Sequence, residues 1–266
     1  MMFQRHFIEE DLYDGSLLRS HGSGRPVVLI HSGAMDSRDW NFITPKLAKI
    51  FKVIIYDVRG AGRSPVPEAP IDHVGDLRQL LAELNIDEAV LIGHSLGGQI
   101  AVDFSLTYPS IVSKLVLIAP GLSGYQFSPE YAELEKQAAK ALPDVNKMID
   151  LTLSEPSWSI PPGEAHDLLR EMMRHNIQKT FEWKTYETVS LPPALGRLDE
   201  IQAEALLLIG ENESKDLFRI AELYNQIPKI KVVRIPGANH IITLTHPDDI
   251  CEHILHDLSL HKQEGQ

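Results

Sequence analysis

Six short runs of aliphatic and β-branched residues recur along the chain, and most are continuous rather than alternating with polar residues. They are Val27-Val28-Leu29-Ile30, Val53-Ile54-Ile55-Tyr56, Ala89-Val90-Leu91-Ile92, Leu115-Val116-Leu117-Ile118, residues 205–209 and Lys231-Val232-Val233-Arg234-Ile235. A strand with one wet face alternates. A strand buried on both faces does not, and parallel sheets bury both faces. Helical patterns fall between the runs, over residues 40–49, 73–84, 99–106, 216–226 and 247–258. This alternation predicts an α/β fold with a doubly wound, mostly parallel sheet. Residues 4–20, with a Tyr13-Asp14-Gly15 turn, read as an antiparallel hairpin on its edge.

The alternation breaks at residues 122–195. Helical segments over 130–142, 145–153 and 163–175 are separated there by Pro143, Pro156, Pro161 and Pro162, and no strand pattern stands out. A helical insertion between two strands is well placed to cover the strand C-terminal ends, where sites in α/β sheets lie. Residues 1–121 and 196–266 are therefore expected to form the core and 122–195 a helical cap. Within the cap, Trp158, Trp183 and Met172 are candidate substrate-binding residues.

The third run leads directly into Gly93-His94-Ser95-Leu96-Gly97-Gly98, and a helical stretch follows. Strand, tight turn carrying a serine, helix is the context of a nucleophile elbow. Strand and helix pack closely there, so the residues two before and two after the serine must be small, as Gly93 and Gly97 are. The helix beginning at Leu96 aims its positive end at the place where an oxyanion would form.

A serine hydroxyl needs an adjacent base. Of the 12 histidines, His240 lies in Pro236-Gly237-Ala238-Asn239-His240, directly after the last predicted strand and at the same sheet edge as the elbow. His166 and His175 fall in the expected cap; His253, His256 and His261 fall on a C-terminal helix or tail. An acid must orient the imidazole. The loop Gly210-Glu211-Asn212-Glu213-Ser214-Lys215-Asp216 offers three; Glu213 is the choice, with Glu211 and Asp216 as alternatives. The backbone N–H of Leu96 supplies one oxyanion donor. The loop His31-Ser32-Gly33-Ala34-Met35 supplies the second, Gly33 ahead of Ser32 or Ala34. His31 is expected to brace this loop.

These landmarks, taken in order, resemble the α/β-hydrolase superfamily over nearly the whole chain. His31-Ser32-Gly33 is similar to the family's His-Gly oxyanion loop, with a serine in the second position. Asp57-Val58-Arg59-Gly60-Ala61-Gly62-Arg63-Ser64 resembles its D-x-R-G-x-G-x-S segment, read here as a turn that fixes loop positions rather than doing chemistry. Gly237-Ala238-Asn239-His240 resembles its terminal G-x-x-H segment. The family's acid commonly falls three residues after the glycine ending its strand, which is Glu213 here. Most members carry aspartate there; this chain carries the accepted glutamate.

The resemblance, closest to serine esterases and enol-lactonase-like members, implies hydrolysis of a carboxylic ester or lactone through an acyl-enzyme on Ser95. The same residues could serve C–C bond, amide or perhydrolysis chemistry, or remain in a hydrolase-fold ligand receptor. A chain of 266 residues fits one α/β core with an insertion, and its net charge of −12, with no basic stripe, argues against nucleic acid as a partner. One cysteine, Cys251, permits no internal disulfide and no Cys-based metal site. No apolar run approaches a transmembrane length, and residues 1–14 lack the apolar stretch of a secretory signal. A cytoplasmic enzyme needing no cofactor or metal, and acting on a small molecule away from membranes, is expected.

Overall fold

The computed structural model describes residues 9–13 and 16–260. The described residues form an eight-stranded sheet: β1 (Glu9–Tyr13), β2 (Ser16–His21), β3 (Pro26–Ile30), β4 (Lys52–Tyr56), β5 (Ala89–His94), β6 (Val112–Ile118), β7 (Glu204–Gly210) and β8 (Ile230–Ile235), in the order β1-β2-β4-β3-β5-β6-β7-β8. β1 pairs antiparallel with β2, and β2 antiparallel with β4. From β4 to β8 every pairing is parallel. The expected hairpin therefore lies on the sheet edge; its turn residues 14–15 and its start, residues 4–8, fall outside the described residues.

Successive side chains of a strand point to opposite faces, and each central strand feeds two cores. Val28, Ile30, Leu91, Leu115, Leu117 and Leu207 face α2 (His73–Glu83), α3 (Leu96–Thr107) and α7 (Lys215–Tyr224). Val27, Leu29, Val90, Ile92, Val116 and Leu208 face α1 (Thr44–Leu47) and α9 (Pro247–Leu260). This is why the runs are continuous: both sides of the sheet are covered. β8, at the edge, is only intermittently buried. Cys251 packs as a buried residue in the second core. No helix among the described residues is long and apolar enough to cross a membrane.

The expected helix over 40–49 is instead a 3₁₀ turn, Ser37–Trp40, followed by the short α1. Pro45 stands in the first turn of α1. A proline is tolerated there but not inside a helix, so the two pieces cannot merge.

Between β6 and β7 stand α4 (Pro129–Ala139), α5 (Val145–Leu153) and α6 (Glu164–Thr180). Ser128 caps α4 and Asp144 caps α5 by accepting backbone amides. The last two of these helices share a third core, where Ile149, Leu153, Leu169, Met172, Met173 and Ile177 pack with Met35 from the loop after β3 and with Ile241 and Leu244 from the loop and short helix α8 (Ile242–Thr245) after β8. The helical segment is thus built onto the loops at the C-terminal ends of the strands.

Candidate active site

Ser95 sits between β5 and α3 with φ 52° and ψ −111°, a backbone conformation rarely adopted by non-glycine residues. The turn is over-determined. The Ser95 amide donates to the Ile118 carbonyl at 2.9 Å, and the Ser95 carbonyl accepts from Gln99 and Gly121. A Cβ on Gly93 would lie 2.2 Å from the Gly97 carbonyl oxygen, and one on Gly97 2.0 Å from that of Ile30. Only glycine permits these approaches.

His240 reaches Ser95 from the loop after β8. Its Nε2 lies 3.0 Å from Ser95 Oγ, and its Nδ1 lies 3.1 Å from Glu213 Oε1. Since Nδ1–H donates to the carboxylate, Nε2 is left to accept the serine hydroxyl. The Glu213 side chain is fully enclosed. The other two acids of its loop face elsewhere. Glu211 accepts the Gly237 amide at 3.1 Å, while Asp216 accepts the hydroxyls of Tyr125 and Ser128.

The loop after β3 lies against the start of α3: a Cβ at Gly33 would be 3.8 Å from Leu96 Cβ. The Ser32 amide is engaged with Asp39 Oδ2 at 3.1 Å. His31 donates from Nδ1 to the Ser32 carbonyl and accepts the Val58 amide on Nε2, so both its nitrogens serve to brace the loop. Leu96 and Ser95 remain half-buried rather than sealed.

Of the three candidate substrate-binding residues, Trp158 lies at the site, its ring centroid 5.0 Å from that of His240. The chain around it is fastened to the histidine loop: the His240 amide donates to the Ser157 carbonyl, and Asn239 Nδ2 to the Pro156 and Ser159 carbonyls. Met172 is wholly buried in the third core. Trp183 covers Gly60, donating to its carbonyl at 3.3 Å, in a place a Cβ on Gly60 would occupy.

The segment after β4 docks α6. Asp57 accepts the Ser37 and Arg63 amides, and Arg59 pairs with Asp76 through two bonds of 2.9 and 2.6 Å. Asn176 accepts the Gly62 amide at 2.7 Å and donates to Asp36 at 3.0 Å, while Lys179 donates to the Gly62 carbonyl at 2.7 Å. Asp36 is held in turn by Arg38, whose guanidinium outweighs the effect of burial and keeps the carboxyl below its ordinary range.

Two residues at the site escaped the sequence reading. His94, inside the elbow, and Asp39, in the 3₁₀ turn after the oxyanion loop, are both fully buried and paired at 2.9 Å. The available signal was an ionisable residue ending a strand otherwise made of apolar residues.

A family model for the alpha/beta hydrolase fold matches residues 25–247. An uncharacterized protein of Mycobacterium tuberculosis is 38% identical over 106 residues, 39% of this chain and 31% of that protein, so the chain matches about a third of that relative's length. The pimeloyl-[acyl-carrier protein] methyl ester esterase of Nitrosospira multiformis is 27% identical over 260 residues, covering 90% of this chain and 96% of the esterase. Among solved structures, MenH from S. aureus superposes with a TM-score of 0.78 at 21% identity, over 92% of this chain and 99% of that one.

Proposed function

The chain belongs to the α/β-hydrolase family, and on that premise we propose that it is a serine hydrolase cleaving a carboxylic ester or lactone through an acyl-enzyme on Ser95. The observation that carries this reading is the unbroken hydrogen-bonded chain from Ser95 Oγ through His240 to Glu213. In it, Ser95 Oγ attacks the carbonyl carbon as its proton passes to His240 Nε2. The carbonyl electrons move to the oxygen, which the Leu96 and Gly33 amides receive. Glu213 stabilises the imidazolium and holds its tautomer. The C–O bond then breaks, the leaving alcohol takes the proton, and water activated by His240 releases the acid. Each oxyanion donor typically contributes about 10²–10³-fold in turnover.

The name of the Nitrosospira relative, a methyl ester esterase, supports an ester as the substrate class. We read α4 to α6, within residues 122–195, as a cap over this chemistry. In this reading Trp158, whose ring lies beside that of His240, touches substrate, Met172 belongs to the core beneath the cap helices, and Trp183 seals the cap against the core. A cytoplasmic setting suits a chain whose one cysteine leaves no disulfide to form.

The test is labelling with a fluorophosphonate together with a hydrolysis screen over esters, lactones, amides and C–C substrates, each beside Ser95→Ala. The reading expects labelling confined to Ser95 and turnover of esters or lactones that the variant loses. Retained turnover in Ser95→Ala overturns the nucleophile. Labelling with no turnover of any substrate favours a ligand receptor.

A further inference from the structure

His94 and Asp39 lie 55 positions apart in sequence and are both at zero exposure. His94 Nδ1 meets Asp39 Oδ2 at 2.9 Å, and Nε2 meets the His240 carbonyl oxygen at 2.9 Å. A carbonyl oxygen accepts only, so Nε2 carries hydrogen. Asp39 is also the target of the Ser32 amide on Oδ2 at 3.1 Å and of the Thr243 hydroxyl on Oδ1 at 2.5 Å. Two donors converging on one carboxyl stabilise its anion. With the anion on Asp39, Nδ1 donates too, and His94 is an imidazolium. Burial opposes both charges, but each partner outweighs it for the other: the His94 pKa is raised and that of Asp39 lowered.

This pair joins three of the segments the proposed reaction needs. His94 immediately precedes the nucleophile. Asp39 holds the oxyanion loop through the Ser32 amide and α8 through Thr243. His94 holds the main chain of His240 itself, and its ring centroid stands 5.4 Å from that of His240.

We infer that the buried Asp39–His94 ion pair is a positioning device of the proposed hydrolase site, locking the oxyanion loop and the His240 backbone to the elbow and presenting a fixed positive charge to the His240 ring. The inference rests on the serine-hydrolase reading and adds two residues beyond the nucleophile, base and acid. Its consequence is for the base. The groups facing His240 are Ser95 from the elbow, Glu213 from the loop after β7, Trp158 from the cap, and His94 backed by Asp39. The ring lies between the Glu213 carboxylate and the His94 cation, and the hydrogen bond from His94 Nε2 to the His240 carbonyl fixes the backbone from which the base reaches Ser95.

The ionisation is tested on the unsubstituted protein. In ¹⁵N-histidine-labelled enzyme at neutral pH, His94 is expected to show a proton on both ring nitrogens. A neutral His94 overturns the inference, and this readout does not depend on any hydrolytic activity. The function is tested with Asp39→Asn/His94→Gln, a neutral pair that retains hydrogen-bonding side chains and approximate volume. The split between kcat and KM is the readout: a device that positions the reacting groups acts on kcat and leaves KM within about threefold of the parent. At neutral pH kcat is expected to fall by about tenfold or more as the loops lose their common anchor. An unchanged kcat, or a loss confined to KM, overturns the inference. Failure of the serine-hydrolase reading is separately visible as activity surviving Ser95→Ala, whatever the state of His94.

Discussion

Asp216 Oδ1 accepts the Tyr125 hydroxyl at 2.7 Å. The same carboxylate takes the Ser128 hydroxyl on Oδ2 at 2.6 Å and the Ser128 amide on Oδ1 at 3.1 Å. Burial alone would raise its pKa, but the Ser128 and Tyr125 hydrogen bonds outweigh it, and the carboxyl sits below its ordinary range. An acid three positions from Glu213 is therefore committed to fastening the N-terminus of α4 to the core, and the acid facing His240 is left distinct from it.

The two carboxylates should separate cleanly in kinetics. Glu213→Gln removes the charge that stabilises the imidazolium, and an amide at this position can also enforce the wrong tautomer. Turnover is expected to fall by about 10³–10⁴-fold, as for the amide substitution in other triads. Asp216→Asn leaves the His240 contacts alone and is expected to lower kcat by less than about tenfold while reducing stability by about 1–2 kcal/mol. Steady-state kinetics and urea unfolding of both variants decide it; a larger kcat loss in Asp216→Asn would reassign the acid.

Strain at Ser95 gives a second expectation. At φ 52° a side chain costs about 1–3 kcal/mol, and glycine avoids that cost while losing more chain entropy on folding. Ser95→Gly should thus be more stable than Ser95→Ala by about 1 kcal/mol, with neither turning over substrate. Paired denaturant melts measure the difference; an Ala variant as stable as the Gly variant would mean that the elbow is relaxed.

The strand runs and the elbow were legible for a common reason: each is set by steric demands close in sequence. Val27 to Ile30 must all be apolar because both faces of β3 are covered. Gly93 and Gly97 must both be glycine because backbone fills the space of a Cβ. What was not legible depends on distant partners. Glu211, Glu213 and Asp216 differ in role only because Gly237, His240 and Tyr125 reach them from far along the chain. The His94–Asp39 pair is invisible for the same reason. The helix read as ending near His175 runs on to Thr180 because Asn176 and Lys179, polar residues that break an apolar pattern, bind backbone groups of the segment after β4.

A buried carboxyl gives a pH signature. Asp103 receives the Ser123 hydroxyl at 2.6 Å, and Ser123 Oγ accepts the Ala194 amide at 2.7 Å, so the two ends of the segment between β6 and β7 meet over this side chain. Burial pushes the Asp103 carboxyl from 3.8 up to about 6. A carboxyl that binds its proton more tightly when folded contributes stability that is full below the unfolded value near 3.8 and lost as pH rises through about 6. Asp103→Asn retains an acceptor for Ser123 without the charge. Its stability is expected to gain on the parent's by about 1–2 kcal/mol between pH 5 and pH 8. Thermal melts at the two pH values test this, and a pH-independent difference would refute it.

Asn176 offers the most direct handle on the proposed cap. It is buried to 4% exposure, yet each end of its amide has a partner: Oδ1 takes the Gly62 amide, and Nδ2 gives to Asp36 and to the Met172 carbonyl. Asn176→Ala leaves the Gly62 amide and one Asp36 lone pair without these partners, which costs about 1–3 kcal/mol. Asn176→Asp keeps an acceptor for Gly62 but turns a second carboxylate toward Asp36, so its defect should grow as pH rises and both groups ionise. Neither residue belongs to the Ser95–His240–Glu213 chain. If α6 holds the cap over the site, loosening it should raise KM more than it lowers kcat and should speed proteolytic cleavage within residues 122–195. The controls are Asp216→Asn, which unfastens α4 instead, and Ser95→Ala, which unfastens nothing. A kcat loss with KM and cleavage rate unchanged would mean that Asn176 acts on the chemistry through the Asp36 loop and not through the cap.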